Sequence, residues 1–386
     1  MRLFVLAESP PTTDPVDGNG STMITAEVLP RLPADIDLHL AYYADRAHEP
    51  DAAVLDRAGA VDVLPVRGIR AALLAQPFTR LPRATWQRAG ARPQVEGWTA
   101  RSDVAYYHGL HTFFALSHVL RPVVANEIDP WSDYWRERSR RRRSPGAWYD
   151  RVQASRAARL EELAARRAAS LVVVNEADAD RLRRRTGAVA LAIPNGTARW
   201  SPDGAGGAAE SRTLAFVGTL DYPPNVEAVT RLVRDILPLV QRSVPDAEVM
   251  LAGRRPTQQV RELAGPSVNV RGDVPDVGTV FAGARVAVYP GRTGRGTKNT
   301  VGEAVGAGCP VVASEESARG HATGEHLRTG STDDELAKAV VDLLVDRDSA
   351  RRAREACVRA AAALTDWDDV ADRYVAVLRA AAGSRG

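Results

Sequence analysis

The stretch Val286–Ser314, VAVYPGRTGRGTKNTVGEAVGAGCPVVAS, constrains this chain more than any other. An apolar run, Val286–Tyr289, leads into a glycine-rich loop, a short helix of small residues and a second apolar run, Val311–Ala313. Strands joined through a helix make a parallel crossover, whose sheet is covered by helices on both faces. The loop carries Arg292, Arg295 and Lys298 among Gly291, Gly294 and Gly296. Glycines let a ligand approach backbone, a helix start offers free N–H groups, and the cations add charge; together they predict an anion site that fits a diphosphate. No Gly-Lys-Ser/Thr closes the loop, which excludes a Walker P-loop. Lys298 and Lys338 are the only lysines among 51 basic residues. The arginine and alanine bias suggests a GC-rich bacterial genome, and a lysine in the loop against that background is mildly informative.

The same alternation runs through the chain in two series. In the first, apolar runs at Leu3–Ala7, Leu38–Tyr43, Val61–Val66, Val104–Tyr107, Val123–Ile128 and Leu171–Asn175 read as strands. Helical patterns separate them around Thr22–Leu32, Ala52–Ala58, Thr112–Leu120 and Ala147–Ala169. Pro194-Asn195-Gly196 marks a turn, and Ser201–Ser211, SPDGAGGAAES, reads as a linker. A second series begins at Leu214–Gly218 and continues with Val249–Gly253, Val268–Val274, Val286–Tyr289 and Val311–Ala313. Its helix between Asn225 and Arg242 has an apolar stripe from Val226 to Val240, and helical patterns at Leu336–Val345 and Val370–Leu378 close the chain. Two α/β halves follow, with the ligand site expected beyond the strands' carboxyl ends, in a cleft between the halves.

Composition sets outer limits. A chain of 386 residues exceeds one ordinary core, and 45% hydrophobic with 26% charged residues is the balance of a soluble globular protein. A net charge of +3 does not predict nucleic-acid binding. Cys309 and Cys357 allow one disulfide at most and no metal cluster, which suits a reducing cytoplasm. The opening MRLFVLAESPP is too short for a signal peptide or membrane span and reads as a first strand.

Several segments together resemble a GT-B fold glycosyltransferase, closest to glycosyltransferase family 4 in a bacterial sugar-transferase branch. They are Phe216–Asn225 (FVGTLDYPPN), Leu251-Ala252-Gly253-Arg254, Val268–Gly272, Glu303–Ala313 (EAVGAGCPVVA), Ile193-Pro194-Asn195-Gly196 and the region after Trp367. The likeness is specific over about Leu214–Ser314. The resemblance implies two Rossmann-like domains facing a cleft, with a C-terminal helix crossing back to the first. The spans would be 1–195 for the acceptor domain, 196–365 for the donor domain and 366–386 for the returning helix. It also implies a retaining, metal-independent hexosyltransferase with a nucleotide-diphospho-sugar as donor substrate and no cofactor.

The family signature is two glutamates separated by seven residues. Glu303 takes the position of the second, which contacts the nucleotide ribose; the first, a sugar contact, falls on Arg295. Thr219 stands where the family has an arginine, and Pro224 or Asn225 stands near its lysine. Arg295 and Lys298, with Arg254, are therefore expected to supply the missing phosphate charge. The resemblance also assigns Gly18, Gly20, Gly218, Thr219, Asn299, Thr300 and Val301 to donor binding. On the acceptor side, His108 and His111 follow a strand, and Glu127 and Asp129 end the next, where the family often has a His-Asp pair. His108, Asp129 and Arg295 are the expected catalytic residues. A structural role for the histidines and a helix-cap role for Asp129 stand beside that reading.

Arg136, Arg138 and Arg140–Arg143 form a basic run, read as a solvated face or a weak contact with an anionic membrane surface. Nucleic acid is disfavoured because no aromatic interleaving accompanies the run. No Cys/His cluster has metal spacing, and Asp178-Ala179-Asp180 lies in a helical pattern. The expected acceptor is a glycan or small molecule, with a lipid-linked one included. The expected location is the cytoplasm, with the inner membrane face as a variant. A nucleotide-sugar epimerase and a non-catalytic sugar-nucleotide binder of the same fold remain as alternatives.

Overall fold

The computed structural model describes residues 1–14, 20–44, 49–118, 121–128, 130–142, 145–197, 210–274, 276–293 and 297–383. The chain divides into two compact units, one of Met1–Asn195 with Trp367–Gly386 and one of Gly196–Asp366.

The first unit is built on seven parallel strands: β1 (Arg2–Ala7), β2 (Asp37–Tyr43), β3 (Ala60–Leu64), β4 (Val104–His108), β5 (Val123–Ile128), β6 (Ser170–Val173) and β7 (Ala190–Ala192), in the order β3-β2-β1-β4-β5-β6-β7. The central strands are apolar along their whole length because helices cover both faces; Leu3 to Ala7 and Val104 to His108 are all buried. Register between β1 and β4 pairs Leu3 with Val104 and Ala7 with His108, so the chemistry-bearing ends of both strands meet at one edge. The helix Trp367–Gly383 belongs to this unit. It buries Trp367, Val370, Ala371, Tyr374, Val375, Leu378 and Ala381 against a core that includes Leu3, Val5, Ile24, Val104 and Val124. No helix among the described residues is long and apolar enough to cross a membrane.

The second unit holds six parallel strands: β8 (Thr213–Val217), β9 (Glu248–Gly253), β10 (Val268–Gly272), β11 (Val286–Tyr289), β12 (Val311–Ala313) and β13 (Leu327–Thr329), in the order β10-β9-β8-β11-β12-β13. At the carboxyl ends of β8 and β9 the backbones nearly touch. Gly253 has φ of 139°, and a Cβ there would lie 1.9 Å from the Gly218 carbonyl oxygen. Only glycine fits, so this corner is shaped for close backbone approach.

Three expectations are corrected in detail. The Thr112–Leu120 pattern is not an α-helix: Leu110–His118 is a 3-10 run whose residues 110–116 are all buried, so packing on several sides overrides the helical period. The Asn225–Arg242 helix is interrupted: Pro223–Arg231 is α-helical, Leu232–Ile236 is a π turn, and Leu237–Gln241 resumes the α-helix. Pro238 has no N–H for the preceding turn, which explains the break. The three-residue edge strands β7 and β13 were not expected, being too short to carry a period.

Candidate functional site

In the second unit, the turn after β8 and the loop after β11 are joined by a side-chain chain. Asn225, in the first turn of the Pro223–Arg231 helix, donates from Nδ2 to the Thr219 carbonyl at 3.0 Å. A Cβ on Gly218 would meet that same Nδ2 at 3.0 Å, so the glycine makes room for it. Lys298, the N-cap of the Asn299–Gly306 helix, donates from Nζ to Asn225 Oδ1 at 3.3 Å. Burial pushes the Lys298 ammonium below its usual range. The Lys298 carbonyl is held in turn by His321 Nε2 at 2.9 Å and by the Val301 N–H at 3.0 Å. A half-buried ammonium with one long hydrogen bond among the described residues, beside the starts of two helices, is an arrangement suited to an anion.

Glu303 lies one turn into the same helix, half-buried. Its carboxyl makes no hydrogen bond to any described residue. Burial pushes it up to about 7, against the pull of Arg254 at the end of β9. The loop's opening is fixed from beneath. Buried Arg231 donates to the Pro290 carbonyl and pairs with Asp333 at 2.5 Å. Arg292 also reaches Asp333, at 3.3 Å, and Thr293 donates to Glu227 at 3.0 Å. Arg292 is thus committed to loop support. Of the other expected donor residues, Val301 points into the core and its amide is bonded, whereas Asn299 and Thr300 are half-buried in the first turn. Arg295 lies outside the described residues, as do Gly18 and Asp129; Gly20 opens the Gly20–Val28 helix.

At the carboxyl edge of the first unit, His108 is enclosed. Nε2 meets the Ser21 carbonyl at 2.8 Å, and Nδ1 meets the Tyr106 hydroxyl at 2.9 Å. Asn126 Nδ2 donates to the hydroxyls of Tyr106 at 2.8 Å and Tyr374 at 2.6 Å, extending the chain to the C-terminal helix. Burial pushes His108 down to about 4, so it is neutral at physiological pH with both ring nitrogens engaged inside the fold. His111, pushed down to about 3 by burial and by Arg88 and Arg83, bonds Thr85 Oγ1 through Nδ1 at 2.9 Å and stands 5.2 Å from the Trp131 ring. Ile128 has φ of 67°, and the β5 register slips between Asn126 and Ile128. A β-branched residue there marks backbone strain just ahead of Asp129. Glu127 is turned inward and buried, and burial beside the Glu161 carboxylate holds it well above the usual range.

Much of the basic run is spent internally. Arg138 pairs with buried Asp150 through two hydrogen bonds of 2.9 and 3.0 Å, and Arg136 pairs with Asp133 at 2.7 Å. Arg142 lies 3.7 Å from Asp150, and Arg143 is outside the described residues. Among the described residues no group of three or more His, Cys, Asp or Glu side chains could hold a metal ion. The role of Asn225 went unseen in the sequence, since nothing local links it to a lysine 73 residues away.

Two Rossmann-like units of seven and six parallel strands give the GT-B fold, the class of many glycosyltransferases. Residues 211–346 match the family model described as Glycosyl transferases group 1, which spans the Lys298 and Glu303 site. The phosphatidyl-myo-inositol mannosyltransferase of Mycobacterium leprae is 33% identical over 212 residues, covering 51% of this chain and 55% of the relative. The enzyme of the same name from Mycobacterium tuberculosis is 32% identical over 187 residues, covering 45% and 49%. The chain thus spans about half the length of the curated relatives it matches. HepE of Anabaena, solved with UDP, superposes with a TM-score of 0.68 at 15% identity, over 98% of this chain and 99% of that one. WaaG, a glycosyltransferase of lipopolysaccharide biosynthesis, gives 0.69 at 12% identity with both chains fully covered. At such identities these likenesses establish the fold.

Proposed function

We propose that the chain is a glycosyltransferase that moves a hexose from a nucleotide-diphospho-sugar to an acceptor hydroxyl, with retention and without a metal or other cofactor. The observation that carries this reading is the half-buried Lys298 ammonium on Asn225, about one helical turn from a Glu303 carboxyl that makes no hydrogen bond to any described residue. Lys298, the helix start and Arg295 would neutralise the charge growing on the departing diphosphate, the largest kind of contribution in such sites. Glu303 would accept hydrogen bonds from the ribose. The relatives named for phosphatidyl-myo-inositol support an acceptor of the lipid-linked class.

The test is a thermal-shift screen of nucleotides and nucleotide sugars. A ligand at a hundred times its Kd stabilises the native state by about 2.7 kcal/mol, so the true donor should stand out from the panel. No shift with any member overturns the donor assignment. An acceptor requirement for turnover separates transfer from epimerisation. Activity is expected to survive a chelator; its loss, with rescue by magnesium or manganese, would replace the cation-only account of the leaving group.

A further inference from the structure

The helix Asn299–Gly306 has a second working side. Asn299 and Glu303, at i and i+4, share one stripe, and Gly302 and Val305, at i and i+3, lie on the next. That second stripe faces a cavity whose opposite wall is the helix Arg347–Ala361, represented by Ala356 and Ala360. Residues this small on both helices leave the space between them unfilled. The cavity has a volume of about 520 Å³ and is also walled by Leu327 and Leu364. Close-packed interiors hold few voids larger than a water molecule, so a space of this size is no packing defect. It falls within the roughly 300–1,000 Å³ of small-molecule sites. Water gains little there, because glycine, alanine, valine and leucine offer it few partners.

The polar part of the wall is basic. Among the described residues lining the cavity, His321, His326 and Arg359 are the titratable ones, and none is an aspartate or glutamate. Both histidines spend Nε2 on a backbone carbonyl, His321 on Lys298 at 2.9 Å and His326 on Ala322 at 3.0 Å. Arg359 has nothing comparable. The other arginines of its helix are engaged: Arg347 with Glu210 at 3.0 Å, Arg351 with Glu355 at 3.0 Å, Arg352 with Glu325 at 3.6 Å and Arg354 with the Ala284 carbonyl at 3.4 Å. Arg359 makes no hydrogen bond or ion pair with any described residue.

We propose that this cavity is a binding site for a small apolar acid, a hydrocarbon body of phenylalkyl size bearing one carboxylate. The body fills the space between the helices and takes apolar surface out of water, and the Arg359 guanidinium receives the carboxylate. A neutral hydrocarbon would leave that charge unused, and a cationic one would meet three basic side chains. The site takes none of the residues assigned to the donor. Its test needs neither nucleotide nor turnover, so its failure would leave the glycosyltransferase reading standing.

The experiment is isothermal titration of the full chain with phenylacetate, 4-phenylbutyrate and octanoate, and with 4-phenylbutanol and 4-phenylbutylamine as neutral and cationic matches. At least one acid should bind saturably at one site per chain, and 4-phenylbutyrate should bind about tenfold or more tighter than its alcohol and its amine. Arg359→Ala should bring the acid down to the affinity of the alcohol, with the thermal midpoint of the unliganded protein unchanged. Ala360→Phe fills the cavity from its wall and should abolish binding of acid and alcohol alike. Lys298→Met should bind the acid as the wild type does. No saturable binding of any acid overturns the proposal, as does equal affinity for acid and alcohol in the wild type. Acid binding unchanged in Arg359→Ala overturns it too, and acid binding lost in Lys298→Met would move the acid to the donor anion site.

Discussion

Replacing Lys298 by methionine should reduce turnover about 10²- to 10³-fold, the usual loss when one charge-stabilising donor is removed from such a site. The unliganded protein should be as stable as before or slightly more so. Burial holds the ammonium below its usual range, and among the described residues its hydrogen-bond partner is Asn225 at 3.3 Å, so methionine of similar shape relieves desolvation at little cost in bonding. A stability loss with normal kinetics would make Lys298 a structural residue. Asn225 offers a sharper control, because its amide already bridges Lys298 and the Thr219 carbonyl. Exchanging the two residues, Asn225→Lys with Lys298→Asn, keeps the charge near one place. The exchange should recover part of the loss, whereas Lys298→Asn alone should not. Turnover of Lys298→Met within about threefold of wild type would end the diphosphate role.

Glu303→Ala should weaken nucleotide binding by about 1.5–3 kcal/mol, the worth of hydrogen bonds to a charged group, or roughly 10- to 150-fold. The pH dependence follows from its pKa of about 7. Ribose hydroxyls donate best to the carboxylate, so wild-type affinity should be flat above pH 7 and fall by up to about tenfold per pH unit below it. Burial raises this group above its ordinary value of 4.5, so ionising it costs the unliganded fold stability as pH climbs from about 4.5 to 7, and the cost is complete above 7. Glu303→Gln should therefore be more stable than wild type at pH 8 without ligand, and its affinity should lose the acid-side slope. Isothermal titration across pH 5.5–8.5 reads both, and an unchanged slope in Glu303→Gln would assign the titration to another group.

The fold was legible because buried parallel strands leave continuous apolar runs; Val286–Tyr289 and Val311–Ala313 are strands over those same residues. What escaped notice has local causes: a proline inside a helical stripe, and edge strands three residues long. The site was legible only where its residues are neighbours in sequence. Lys298 and Glu303 share one helix, but the Asn225 contact and the capture of His108 by Ser21, 87 residues away, come from tertiary folding alone. His108 looked available because a histidine after a strand carries no sign of what its nitrogens will meet.

The membership of Trp367–Gly383 in the first unit sets an order of events on the ribosome. Gly196–Asp366 is one continuous segment and can fold as it emerges. The first unit cannot finish then, because seven buried residues of its core and the Tyr374 hydroxyl that receives Asn126 are made only after Gly196–Asp366. At ordinary synthesis rates the early sheet waits about 10–35 s for its closing helix. During that interval part of its apolar surface stays open, and the nascent chain is then most in need of a chaperone.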